Sequence, residues 1–280
     1  MQIAIGKVWL QKKGGIMVSK SDFSYNIEIK VTAAQIGINK WDWIFANGKS
    51  EARAKRLMKK HKFDVLPIKD DKGQFKEYYS TRIWNNYDGL NRNLIDSTTT
   101  IYYNTGLREL IKRFNKESRH YYFLTDYEEI VGLVSLANLS CQAVYNYLYY
   151  IISGIETSVS SFLQERVSQE FVISEFEKRE GTDHYENAIR RFNADSQEHS
   201  FYDYLDFKDL ALVINKFQKE LRGDEKGLLN FYKKFESSYN DLRIKVMHPV
   251  RTLLTTHEAI SQIDELLDDY SSIMNITNKK

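Results

Sequence analysis

Two prolines, Pro67 and Pro249, are all that the 280 residues contain. Proline interrupts helix interiors and central strands, so its scarcity favours long regular elements. A single cysteine, Cys141, excludes an intrachain disulfide and any cysteine-rich zinc site. That usage fits a reducing compartment, and the expected location is cytoplasmic. Long apolar runs are missing too. The most apolar stretch, Ala143 to Ile155, is too short to span a bilayer and is rich in tyrosine, so it reads as a buried helix and no membrane partner is expected. Met1 to Leu10 lacks the basic region and apolar core of a cleavable signal. The six histidines form no ligand-like cluster and no HxxxH pair, which argues against a metal site. Neither a Walker-type phosphate loop nor a GxSxG elbow occurs.

What is present is an ordinary globular composition, 42% hydrophobic and 28% charged, enough for one large domain or two of ordinary size. The net charge of +2 is unevenly spread. Residues 1–145 carry 23 Lys and Arg against 15 Asp and Glu, a balance of +8, while the remainder carries 17 against 23, a balance of −6. A basic front half attracts phosphate ligands, although the lysine-rich stretch Lys55 to Lys62 reads equally as a solvated helix face.

The front half mixes strand and helix patterns. Tyr25 to Val31 alternates as a half-buried strand does, and Gln2 to Leu10 does so less regularly. One unit then occurs twice. A helical stretch from Ser50 to His61 leads into the strand Asp64 to Ile68, a turn at Asp70 to Gly73 and a strand from Phe75 to Ser80. About 55 residues later come a helix from Gly106 to Glu117, a strand from His120 to Leu124, a turn at Asp126 to Glu129, and a strand from Ile130 to Val134. The spacing reads as an internal duplication.

Over roughly residues 15–142 this pattern resembles a tandem pair of cystathionine-β-synthase-type (CBS) domains, α/β modules that often bind adenine nucleotides in the cleft between them. Gly132-Leu133-Val134-Ser135-Leu136-Ala137-Asn138 matches the family's nucleotide signature. The resemblance implies that Ser135 contacts phosphate and Asn138 the ribose hydroxyls, with Gly132 opening the motif. Ser135 is also a good helix N-cap, and Asn138 also suits a polar helix start. In the first copy Glu77 stands where Gly132 does and Ile83 where Asn138 does, so at most one site of the usual kind is expected.

From Ser140 onward strand patterns vanish. Tyr145, Leu148, Ile152, Ile155, Val159 and Phe162 recur every three or four residues, and a continuous helix is expected from Asn138 to Gln164. Further helices are expected over Ile173 to Lys178, Tyr185 to Phe192, Leu205 to Leu221, Leu228 to Val246 and His257 to Met274. The fold expected is therefore an α/β half, residues 1–142, followed by an all-α bundle, residues 143–280. Tyr145, Tyr147, Tyr149 and Tyr150 read as core or as a dimer- or RNA-facing surface.

Arg243 and His248 stand five apart at the end of a helical stretch, just before Pro249. Arginine keeps its charge and histidine titrates near neutral pH, so together they suit phosphate chemistry. The same spacing at Arg56 and His61, inside the α/β half, gives position more weight than spacing. Over roughly residues 143–275 the chain resembles a HEPN domain, a helical family with many metal-independent ribonucleases. Arg243 and His248 match its motif, and Glu156 matches its acidic residue in the first helix. Ile244 departs from the pattern, in which a polar residue usually follows the arginine. On an ideal helix Arg243 and His248 point roughly 140° apart, so one copy does not build a compact site. The resemblance implies a homodimer that pools two motifs in one cleft.

The function expected is a nucleotide-regulated, metal-independent endoribonuclease of the toxin or antiviral-defence kind. RNA is its substrate and an adenine nucleotide its regulatory ligand; no cofactor is required. Two alternatives stand beside it: a catalytically silent nucleotide sensor that dimerises or binds a partner, and a helical partner subunit of a nucleotidyltransferase.

Overall fold

The computed structural model describes residues 30–48, 50–83, 86–178, 183–194, 200–234, 238–248, 253 and 257–278. The expected strand Gln2 to Leu10, all but the last two residues of Tyr25 to Val31, and Pro249 lie outside them.

The duplicated unit is strand, helix, strand, strand. Ahead of the first copy stand α1 (Ala33–Ile36) and β1 (Ile38–Asn39); in that copy the four are β2 (Ala46–Asn47), α2 (Glu51–His61), β3 (Val65–Lys69) and β4 (Phe75–Ile83). In the second they are β6 (Thr100–Tyr102), α3 (Leu107–Glu117), β7 (Tyr121–Asp126) and β8 (Glu129–Ser135). Within each copy the first strand lies parallel to the second across the helix, and the last two strands are antiparallel. Each helix buries one stripe: Ala54 and Met58 on α2, and Leu107, Leu110, Ile111 and Phe114 on α3. Both stop at a left-handed residue, Lys62 and Ser118.

Each copy gains a fourth strand on the far edge. The first sheet runs β2-β3-β4-β5, with β5 (Asn86–Leu94) following β4 directly. The second runs β1-β8-β7-β6, and its outer strand β1 (Ile38–Asn39) precedes the first copy in the chain. Sequence reading misses β5, because asparagine, aspartate and glycine are poor strand formers. Pairing overrides propensity there: Arg92 forms an ion pair with Glu77, and the Asn93 amide donates to Ser80 Oγ at 2.9 Å.

The copies meet through aromatic rings. The Trp43 ring centroid lies 5.0 Å from that of Phe75 and 6.0 Å from that of Phe123; Tyr78 lies 5.1 Å from Phe123 and 5.6 Å from Tyr121. The Tyr121 hydroxyl donates to that of Tyr78 at 3.0 Å, and burial pushes the Tyr121 phenol far above its ordinary range.

The helical half is built on α4 (Gln142–Arg166), followed by α5 (Gln169–Glu177), α6 (Asp183–Ala194), α7 (Phe207–Lys216), α8 (Gly227–Lys234), α9 (Asn240–Met247) and α10 (His257–Thr277). The expected helix from Asn138 does not begin there. A 3-10 turn over Leu136–Ser140 comes first, because Ser135 and Asn138 cap that turn, and α4 starts at Gln142. The single helix expected over Leu228 to Val246 is two elements, α8 and α9.

Cores do not divide as the two halves do. The first copy has its own small cluster, including Met58, Leu66, Ile68 and Tyr79. A much larger cluster runs from Val31 through the second copy into α4 and α10. Polar contacts tie the same seam: Arg108 on α3 reaches Asp268 at 2.9 Å and Ser271 at 2.8 Å on α10, and Asn115 reaches Asp264 at 2.8 Å.

Candidate functional site

On α4 the apolar stripe places Ile155 and Val159 inside, and Glu156 sits beside it, half-buried. On α9, Leu242 and Val246 are buried at four-residue spacing, which leaves Arg243 next to the contact with α4. The two side chains meet: Arg243 Nε donates to Glu156 Oε1 at 3.2 Å, with 25% of each side chain exposed. Among the described residues no hydrogen bond holds the two terminal nitrogens of that guanidinium. Desolvation raises the Glu156 carboxyl above its ordinary value; Arg243 opposes the rise and the Asp206 carboxylate adds to it.

That shift has a testable sign. A carboxyl raised in the folded state contributes stability below its unfolded value and loses it as pH rises through the folded one. Wild type should therefore lose thermal stability relative to Glu156→Gln as pH climbs above about 4.5, the ordinary glutamate value. A melting series from pH 4 to 7 reads the difference. A gap that moves the other way would mean that Arg243 outweighs burial.

Asp206 is the N-cap of α7, accepting from the backbone N–H of Lys208 at 2.9 Å and of Asp209 at 3.0 Å, while buried Asp209 accepts from Asp206 N at 3.2 Å. With Asn187 and Arg191 these carboxylates line a cavity of 340 Å³. Arg191 is anchored there by donating to the Tyr204 carbonyl at 2.8 Å and the Asn187 carbonyl at 3.1 Å. Sequence reading passed over Asp206, though its signal was present: Asp206 and Asp209 at capping-box spacing ahead of an apolar run.

His248 closes α9. Its backbone N–H donates to the Ile244 carbonyl at 3.1 Å, its φ of −122° and ψ of 75° leave the helical region, and its side chain is exposed. No hydrogen bond or ion pair joins it to Arg243 or Glu156, so within one copy the structure brings together two of the three residues singled out. Ile244 is half-buried. Of the tyrosines, Tyr145 is buried and Tyr149 is 50% exposed.

In the α/β half, Gly132, Ser135 and Asn138 lie at the end of β8. Ser135 N and Oγ both reach Asn138 Oδ1 at 2.8 Å, closing the turn on itself. Gly132 has a packing reason to be glycine: a Cβ there would lie 2.9 Å from the Ile38 carbonyl oxygen and 3.1 Å from Leu124 Cδ1. At the equivalent place in the first copy, Glu77 on β4 forms an ion pair with Arg92 on β5. Among the described residues no cluster of three or more His, Cys, Asp or Glu side chains is placed to hold a metal ion, and no helix is long and apolar enough to cross a membrane.

No protein-family model matches the chain, and no curated protein matches it by sequence. Several solved structures are similar to part of it. CBSX2 in complex with AMP is 13% identical, with a TM-score of 0.33, covering 42% of this chain and 97% of that one. An uncharacterized conserved protein from Pyrococcus horikoshii is 22% identical, with a TM-score of 0.31, covering 40% and 92%. Hypoxic Response Protein I with two coordinated zinc ions is 18% identical, with a TM-score of 0.30, covering 39% and 97%.

Proposed function

We propose that the chain is a metal-independent endoribonuclease whose helical half cuts RNA at a site shared by two copies, under control of an adenine nucleotide bound to the α/β half. The observation that carries the reading is the posture of Arg243. Its Nε is held by Glu156, and among the described residues none holds its forked end, which suits the two oxygens of a phosphodiester. In this reading the 2′-hydroxyl attacks the adjacent phosphorus, the bond from phosphorus to the 5′-oxygen breaks, and the products are a 2′,3′-cyclic phosphate and a 5′-hydroxyl. His248 takes the proton from the attacking hydroxyl or supplies it to the leaving oxygen, and Arg243 stabilises charge gathering on the phosphate. Glu156 is a positioning residue that acts through Arg243. A twofold dimer supplies the second motif, which one copy needs because its own histidine sits on the helix end, away from the ion pair.

Control runs from Gly132, Ser135 and Asn138 through the turn Leu136–Ser140 into α4, the helix that carries Glu156. A nucleotide bound there competes with Asn138 for the Ser135 hydroxyl. AMP or ATP should change the cleavage rate of the full chain, and Asn138→Ala should remove the change. A rate that ignores both nucleotides would take the sensing role away from this motif.

A second reading, a silent sensor that dimerises or binds a partner, is favoured by Ile244, which places a half-buried apolar side chain beside the arginine where a polar one is usual. An RNA-binding wild type with no cleavage would select it.

A further inference from the structure

Where the second α/β copy meets the helical half, a cavity of 550 Å³ opens between α3, α4 and α10. Its size falls within the range of small-molecule sites, roughly 300–1,000 Å³. The floor is apolar, with Leu107 and Ile151 among its residues, and Tyr147, Tyr150 and Tyr270 stand around it. Arg108 and Lys30 bring positive charge to the wall. Arg108 is oriented by Asp268 and Ser271, but that pair is exposed, 47% on one side and 59% on the other, so an anion competes for the guanidinium at little cost. The Tyr270 hydroxyl is a donor at neutral pH, as an ordinary phenol is, and burial and the neighbouring Tyr150 raise it further.

The cavity is also held open by its frame. Tyr270 packs over Gly154, where a Cβ would lie 3.2 Å from its ring, and Asn115 holds α3 against α10 by donating to Asp264 at 2.8 Å. Gly106, at the rim, has neither a packing nor a backbone reason to be glycine: its φ of −66° suits any residue, and a Cβ there meets nothing within 4 Å.

We propose that this seam cavity binds a small molecule joining a planar aromatic ring to a phosphate, and that filling it locks α3, α4 and α10 together. The ring lies among the tyrosines on the apolar floor, where aromatic faces stack favourably. The phosphate meets Arg108 and Lys30 in charge-assisted contacts. The site is separate from the Gly132–Asn138 motif, and it does not depend on RNA cleavage. It does touch both halves of the protein, and Tyr150 lies on the same helix as Glu156.

The test is calorimetric titration of the full chain with two probes, 1-naphthyl phosphate and AMP, alongside melting curves. Saturable binding of at least one probe is expected in wild type and in Asn138→Ala. Gly106→Phe, which puts a large ring at the rim where a Cβ meets nothing within 4 Å, should weaken that binding by at least about tenfold. Arg108→Gln should weaken 1-naphthyl phosphate by about tenfold while leaving 1-naphthol unaffected, so a poorly folding Gly106→Phe does not leave the question open. Binding of neither probe would overturn the inference. So would binding that survives both cavity variants, or binding lost only in Asn138→Ala, which would place the probe at the β8 motif instead.

Discussion

His248→Ala should reduce RNA cleavage by about 10²–10⁴-fold, the contribution typical of a positioned general acid or base. Its fold should be unchanged, because the side chain is exposed at the end of α9 and only its backbone N–H takes part in the helix. Arg243→Ala should lose roughly 10²–10³-fold, the scale of removing one charge-stabilising donor from a transition state. It should also lower stability, because Glu156 is left half-buried without its cation. Glu156→Gln should fall between wild type and those two, since an amide oxygen still accepts from Arg243 Nε. Initial rates on a labelled RNA, read with melting curves for each variant, separate the two effects. Equal activity in wild type and His248→Ala would remove the histidine from the chemistry.

Phe123→Ala should destabilise the protein by about 3–5 kcal/mol, the usual cost of deleting a large ring from a packed interior. Phe123 is fully buried in β7, and its ring faces Trp43, Tyr78 and Tyr121, which come from both copies of the repeat. Its loss should act first on the docking of the two sheets. The first copy's core is a small cluster of its own, whereas the second copy shares its core with α4 and α10. Denaturant unfolding should therefore become less cooperative, with an early phase reported by Trp43. Tyr127→Ala is the control: at 89% exposed it should change stability by no more than about 0.5 kcal/mol. A single transition at wild-type denaturant for Phe123→Ala would show that the aromatic seam contributes little.

Local patterns carried most of what the sequence made legible. The helical stretches that become α2 and α3, the stripe on α4, the repeat at about 55 residues, and the end of β8 at Ser135 all follow from local pattern and capping within a few residues. The harder elements depend on distant partners. Strand β5 forms because β4 presents an edge to it, despite its asparagines. Two-residue β1 is defined by its pairing with Gly132 and Leu133, almost a hundred residues away, which no local pattern announces. The same contact explains Gly132 as a place of close backbone approach, a reason the motif alone does not supply. At the candidate site, residue type and position pointed to Arg243 and the family resemblance to Glu156, and their 3.2 Å contact emerges only when α9 packs on α4. The influence of Asp206 on Glu156 and the seam cavity were out of reach for the same reason, since both are made by elements far apart in the chain.

The central claim is best tested on the products of cleavage. Wild-type protein, treated with EDTA and mixed with a short RNA, should yield fragments ending in a 2′,3′-cyclic phosphate and beginning with a 5′-hydroxyl. The same RNA with a single 2′-deoxy nucleotide at the cut should stay intact, because the attacking hydroxyl is gone. Equal cutting of the deoxy-substituted RNA, or cutting that EDTA abolishes, would contradict an arginine–histidine site that works on RNA without a metal.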